Sequence, residues 1–86
     1  MTPDHELSFR ELAILRAVAA GRAEITNSSE PDLFIDGLPC CDQYTAHGLA
    51  HRMLIAQDRP GPVGRRVSAR LTASGFVAIG VLDEVA

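Results

Sequence analysis

The chain has 86 residues, of which 47% are apolar and 22% are charged, and its formal net charge at pH 7 is −3. Such values are typical of one small folded domain, so they exclude global disorder. The acidic total also excludes a protein that coats nucleic acid through charge alone. No run of apolar residues is long enough to predict a membrane span, and the N-terminus lacks the basic and apolar regions of a signal peptide. The adjacent Cys40 and Cys41 favour a reducing cytoplasm.

The first helix has the clearest local signal in the chain. Ser8 and Glu11 have the spacing of a capping box, in which each side chain binds the backbone N–H of the other residue. Leu7 and Leu12 have the spacing of a hydrophobic staple. Apolar residues then recur at helical spacing as far as Gly21, which is a typical helix end. We therefore predict a helix over 8–20, after a flexible tail over 1–7 and within a single domain over 8–86.

Two short strands are predicted next, over Arg22–Thr26 and Leu33–Asp36, because apolar and polar residues alternate in the first and turn residues separate the two. Pro31 and the Gly37/Pro39 pair interrupt any helical period in this region. The sequence therefore predicts a hairpin here rather than a helix.

A second helix is predicted over 41–54. Its inner sector carries Ala46, Leu49, Ala50, Met53 and Leu54, which we expect to pack on the core. Its outward sector carries Tyr44, Thr45, His47, Gly48, His51 and Arg52. The Tyr and Arg side chains can reach phosphates or base edges, and Thr and His can hydrogen-bond to either. An ordinary solvated face is the open alternative. Gly48 weakens a helix interior by about 1 kcal/mol relative to Ala, which suggests that another molecule approaches closely there.

The second half of the chain contains an arginine-rich hairpin. Apolar and polar residues alternate from Arg66 to Leu71, which predicts a strand with one face on the core and the other in water. The turn before this strand is rich in Pro and Gly. Four of the eight arginines of the chain lie on or beside this hairpin, namely Arg59, Arg65, Arg66 and Arg70. Arginines on such a ribbon commonly contact phosphates or enter a DNA groove.

The last helix is predicted over 73–84, with Thr72 as its N-cap. It is apolar on more than one side, through Phe76, Val77, Ile79, Val81, Leu82 and Val85. A helix of this kind either needs a second surface to cover it or closes a small core. We predict a homodimer through this helix, and closure of the core is the open alternative.

The helix end at Met53-Leu54-Ile55, the glycine-containing wing and the segment from Arg66 to Gly75 resemble the winged-helix regulators of the MarR and PadR groups, and we predict the element order α-β-β-α-β-β-α. Those families often pass from the wing into a dimerising helix through a comparable step of leucine, threonine, two residues and glycine. The chain differs from them in having a hairpin in place of one helix. The resemblance implies a small winged-helix-like α+β domain that regulates transcription. Helix 41–54 would enter the major groove, and wing 59–70 would contact the backbone or the minor groove.

Other functions receive less support from the sequence. His47 and His51 have the i, i+4 spacing of zinc ligands, but the neighbouring Cys40 and Cys41 cannot easily bind one ion, so we expect no metal or other cofactor. No catalytic motif is present, so we expect no enzyme. A protein-interaction module with the same fold remains the main alternative. Its docking surface would be the first hairpin, through Glu24, Glu30, Asp32 and Phe34.

Overall fold

The structure is a computed structural model that describes residues 7–85, with the side chains of residues 7–80. Within that range the chain forms three helices and five strands. They are α1 (Phe9–Ala19), β1 (Ala23–Thr26), β2 (Leu33–Ile35), β3 (Leu38–Pro39), α2 (Gln43–His51), β4 (Ile55–Gln57), β5 (Arg66–Leu71) and α3 (Ala73–Val85). The α+β class is therefore confirmed. The predicted tail 1–7 lies outside the described residues except for its last residue.

The capping box of α1 is present as predicted. The backbone N–H of Glu11 donates to Ser8 Oγ at 3.0 Å, and the N–H of Ser8 donates to Glu11 Oε1 at 2.8 Å. Leu7 and Leu12 are partly buried, and both pack against the core. Gly21 has a φ of +79°, a left-handed conformation that glycine adopts without strain. These local signals determine both ends of the helix.

The strands form one antiparallel sheet in the order β3-β2-β1-β5-β4. Its central pairing is that of β1 with β5, in which Ile25 lies opposite Val67. This pairing joins the first hairpin of the chain to the arginine-rich hairpin. Residues paired across antiparallel strands share a face of the sheet, so the register also determines which side chains lie together.

The structure has a third strand, β3, between β2 and α2, where the predicted order has none. Asp36 and Gly37 have φ values of +55° and +82°, as a type I′ turn requires, and Ile35 pairs with Leu38 across them. An Asp-Gly pair between apolar residues is a strong hairpin signal, although the strand after it has only two residues. The chain therefore forms a second tight hairpin where the sequence reading predicted only an interruption.

All three helices pack against the sheet, and the core lies between the two layers. The largest fully buried side chains among the described residues are Leu15, Leu33 and Leu49. On the face of the sheet that points away from the helices, the side chains are half-buried or exposed. These residues are Glu24, Thr26, Phe34, Ala56, Arg66, Ser68 and Arg70. We call this side of the sheet the open face.

The predicted helix 41–54 is too long at both ends. It runs from Gln43 to His51, and Asp42 is its N-cap. Met53 has a φ of +62° and is 68% exposed, so it does not pack on the core as predicted. The helical spacing of the apolar residues continues through Leu54, so the spacing alone does not indicate the turn at Met53.

The step from β5 into α3 is built from close backbone contacts. Thr72 Oγ1 accepts a hydrogen bond from the N–H of Gly75 at 3.0 Å, which confirms Thr72 as the N-cap. The N–H of Thr72 donates to the carbonyl oxygen of Leu54 at 3.0 Å, and its hydroxyl donates to the carbonyl of Met53. A Cβ at Gly75 would lie only 2.2 Å from the Leu54 carbonyl oxygen. Glycine is therefore required at this step for steric reasons.

We expect Gly75→Ala to lower the free energy of unfolding by about 1–3 kcal/mol or more, because a methyl group would push α3 away from the backbone at Leu54. Urea denaturation measures this change.

Gly80→Ala is the matched control in the same helix, since no heavy atom of the described residues outside the helix's own backbone and the two chain neighbours lies within 4 Å of a Cβ built at Gly80. There alanine should stabilise the protein by about 0.5–1 kcal/mol through its better helix propensity. Equal effects of the two substitutions would contradict the packing argument.

Candidate nucleic-acid interface

The outward face of α2 begins with an exposed aromatic residue and a tightly bonded cap. Tyr44 is 88% exposed and available for contact. Thr45, in contrast, is bonded to the cap: its hydroxyl donates to Asp42 Oδ2 at 2.6 Å and its backbone N–H donates to Asp42 Oδ1 at 3.1 Å. Of these two predicted DNA-binding residues, Thr45 is therefore bonded within the chain, whereas the Tyr44 side chain has no hydrogen-bond partner among the described residues.

Asp42 is a structural residue that the sequence reading missed. Hydrogen bonds from the hydroxyl and the backbone N–H of Thr45, together with the guanidinium of Arg10 at 2.9 Å, lower the pKa of Asp42 from 3.8 to about 2. The signal was available, because an Asp directly before a helical stretch is a typical N-cap.

The two histidines of α2 contact the loop between β1 and β2. We call residues 27–32 the acidic loop, since it carries Glu30 and Asp32. Glu30 approaches His47 Nδ1 at 3.2 Å and His51 Nε2 at 3.4 Å, while Asp32 approaches His47 Nε2 at 3.3 Å. The histidine part of the predicted DNA-binding face is thus covered by carboxylates, and its role in DNA binding stays a prediction.

Arg52 and Gly48 complete this face. Arg52 is the C-cap of α2 and lies outside the helix, and its guanidinium pairs with Glu11 at 3.0 Å. No heavy atom lies within 4 Å of a Cβ built at Gly48, so packing within the described residues does not require glycine there. Close approach by a bound molecule remains the prediction for Gly48.

The arginine-rich hairpin is held in place by Asn27. The backbone N–H of Asn27 donates to the carbonyl of Arg65 at 3.2 Å, and its own carbonyl accepts from Gly64 at 2.9 Å. Its side chain donates to the carbonyl of Gly61 and accepts from Gln57 Nε2 at 3.0 Å. These bonds link the acidic loop to the turn of the hairpin and hold the turn in one conformation.

The four arginines of the hairpin differ in their surroundings. The guanidinium of Arg66 lies 4.3 Å from the centre of the Phe34 ring and 3.8 Å from Glu24 Oε1 on the open face. For Arg59, Arg65 and Arg70, no ion pair is formed with any carboxylate in the described part of the chain. All four are exposed. The hairpin therefore has an unneutralised positive charge.

An open groove of about 460 Å³ lies beside this hairpin. Arg59 and Arg70 both line it, together with Ile25, Ala56, Gln57, Asp58 and Pro60. Two guanidinium groups at one groove can bind phosphate oxygens through several charge-assisted hydrogen bonds.

No group of three or more His, Cys, Asp and Glu side chains is arranged to hold a metal ion among the described residues. Cys40 and Cys41 are free thiols, the first half-buried and the second exposed. In the same part of the chain, none of the helices has both the length and the apolar character that a membrane span requires.

Comparison with protein-family models, with curated proteins and with solved structures gives no match for this chain.

The cap at Asp42 predicts a specific dependence of stability on pH. Because its pKa is lowered in the folded protein, ionised Asp42 stabilises the fold above its ordinary pKa of 3.8, and this contribution is lost as the pH falls towards about 2. Asn can still cap a helix but cannot ionise. We expect the difference in stability between the parent and Asp42→Asn to shrink between about pH 4 and pH 2, as measured by urea denaturation. A difference that stays constant over this range would contradict the assignment.

Proposed function

We propose that the protein binds DNA and acts in transcriptional regulation, with the arginine-rich hairpin as its main contact. The observation that carries this proposal is the set of three arginines, Arg59, Arg65 and Arg70, which have no acidic partner in the described part of the chain. In a protein with a net charge of −3, these exposed arginines concentrate positive charge on one hairpin. Phosphate contacts by arginine supply the sequence-independent part of DNA affinity.

The sheet order supports this proposal. The strand that follows α2 is β4, and it forms a hairpin with β5, which in turn pairs with β1. This arrangement matches the wing that the resemblance to MarR and PadR regulators implies. The turn of the hairpin is held by Asn27, so little conformational entropy would be lost when it meets DNA.

On this proposal α2 has a smaller part than the hairpin. Tyr44 is exposed and Gly48 leaves room for a close approach, and both could meet a groove. His47, His51 and Arg52 are already engaged with carboxylates of the same chain. The wing therefore makes the first contact with DNA.

The proposal includes a homodimer through α3. Phe76 and Val77 are 61% and 64% exposed on this helix, while Ile79 is buried in the core. The side chains of Val81, Leu82 and Val85 lie outside the described residues. We further propose that the protein works in the cytoplasm, where an exposed thiol such as that of Cys41 stays reduced.

Protein docking is the second candidate function. It is favoured by the carboxylates of Glu30 and Asp32, which lie against His47 and His51 on the helix that also carries the exposed Tyr44. An acidic surface with an exposed aromatic residue suits a basic protein partner better than DNA. Docking through the first hairpin, as predicted from the sequence, is less favourable, since Phe34 lies beneath Arg66 and Glu24 pairs with the same arginine.

DNA binding should depend on salt and on the unpaired arginines. With a fluorescent 30-base-pair duplex of mixed sequence, we expect the affinity to fall steeply as salt rises. Arg59→Ala and Arg65→Ala should each reduce the slope of log affinity against log salt by about one, because each removes one phosphate contact. Fluorescence anisotropy at a series of salt concentrations measures both quantities.

Arg22→Ala is the matched control, since Arg22 is exposed and pairs with Asp36 beside the first hairpin. It removes the same charge at a different surface and should leave the slope unchanged. Absence of binding at low salt would contradict the proposed function and favour protein docking.

The dimer depends on the exposed apolar surface of α3. Phe76→Ser should shift the protein from dimer to monomer in sedimentation equilibrium, because it removes apolar area from the proposed interface. Phe9→Ser is the control, since Phe9 is 94% exposed on α1. A parent protein that is monomeric at all concentrations would contradict the dimer.

A further inference from the structure

The acidic loop is positioned over the side chains of α2 that the resemblance assigns to DNA. One carboxylate, that of Glu30, spans both histidines, with one oxygen 3.2 Å from His47 Nδ1 and the other 3.4 Å from His51 Nε2. A second carboxylate, that of Asp32, faces the remaining nitrogen of His47 at 3.3 Å. Three of the four ring nitrogens of the two histidines therefore lie within 3.4 Å of a carboxylate oxygen of this loop.

These oxygens have the chemistry of a nucleic-acid backbone. A carboxylate and a phosphodiester both present anionic oxygens that accept hydrogen bonds from imidazole. His47 is only 26% exposed in this arrangement, so the loop occupies much of the space that a phosphate would need. Loop carboxylates and DNA phosphates cannot bind the same ring nitrogens together.

The base of the loop is firmly attached, whereas Glu30 is not. Thr26 and Asp32 close the base through two hydrogen bonds, from the N–H of Thr26 to the carbonyl of Asp32 at 3.0 Å and from the N–H of Asp32 to Thr26 Oγ1 at 2.8 Å. The Glu30 side chain is 60% exposed. Exposed ion pairs contribute little to stability, so a polyanion could displace this side chain without unfolding the loop.

We infer that the acidic loop is an autoinhibitory cover, in which Glu30 and Asp32 imitate DNA phosphates and compete with DNA for His47 and His51. This inference rests on the proposed function. Binding through the wing alone leaves the cover in place, whereas engagement of α2 displaces it. The cover thus lowers the affinity for arbitrary DNA and reserves full binding for duplexes whose phosphates reach α2.

The test is the affinity of the full chain for the same mixed-sequence duplex after neutralisation of the two carboxylates. Glu30→Gln combined with Asp32→Asn keeps the shapes of the side chains and removes two negative charges. We expect this double variant to bind about 3- to 10-fold more tightly than the parent at equal salt, because two unfavourable charges no longer face the DNA and two imidazoles are released.

Two controls separate a cover from a simple change of net charge. Asp36→Asn removes one carboxylate from the turn of the first hairpin, where Asn tolerates the left-handed backbone. It should raise the affinity for DNA less than the single substitution Glu30→Gln, which also removes one negative charge. Adding His47→Gln and His51→Gln to the double variant should abolish most of its gain, since the released imidazoles would then be missing.

The outcomes for the cover and for the proposed function differ. If the parent binds DNA through Arg59 and Arg65 but the double variant binds no more tightly, the cover is wrong and the proposed function stands. If Asp36→Asn raises the affinity for DNA as much as Glu30→Gln does, the cover is also wrong. If neither the parent nor the double variant binds at low salt, both are wrong. Binding by the double variant alone would support the cover and would contradict binding of the parent through its wing.

Discussion

The pairing of β1 with β5 is the interaction on which the rest of the structure depends. Each of the two hairpins that it joins is short, and an isolated hairpin is marginally stable in water. Once β1 lies between β2 and β5, Ile25 and Val67 face the helices together and contribute to one core. The same pairing brings Asn27, at the end of β1, beside the turn of the arginine-rich hairpin. The position of the candidate site therefore follows from the register of one strand pair.

Segregation of charge is the second consequence of this arrangement. The carboxylates of Glu11, Glu30, Asp32 and Asp42 lie around α2, while arginines without partners lie on the hairpin. Two of these carboxylates are paired with arginines, Glu11 with Arg52 and Asp42 with Arg10, whereas Glu30 and Asp32 contact histidines. The arginines of the hairpin and the carboxylates of Glu30 and Asp32 therefore lie on different parts of the fold.

The features that depend on neighbours in sequence were predictable, and those that depend on the topology were not. The capping box of α1, the alternation in β5 and the N-cap at Thr72 each involve residues within one turn or strand, so their spacing was sufficient. The contact of Glu30 with His47 joins residues from different elements, and only the folded sheet brings them together. The predicted end of α2 was wrong because Met53 takes a left-handed backbone conformation, which a methionine in the sequence does not indicate.

The contact between Gly75 and Leu54 joins the backbone of α3 directly to the backbone that leads into β4. Helices usually meet their neighbours through side chains, which can change rotamer and absorb a small displacement. Here the helix backbone lies directly on a carbonyl group, and Thr72 adds hydrogen bonds to Met53 and Leu54. A displacement of α3 would therefore act directly on the backbone at Leu54, which immediately precedes β4. In a dimer joined through α3, the angle between the two subunits would set the distance between their two hairpins.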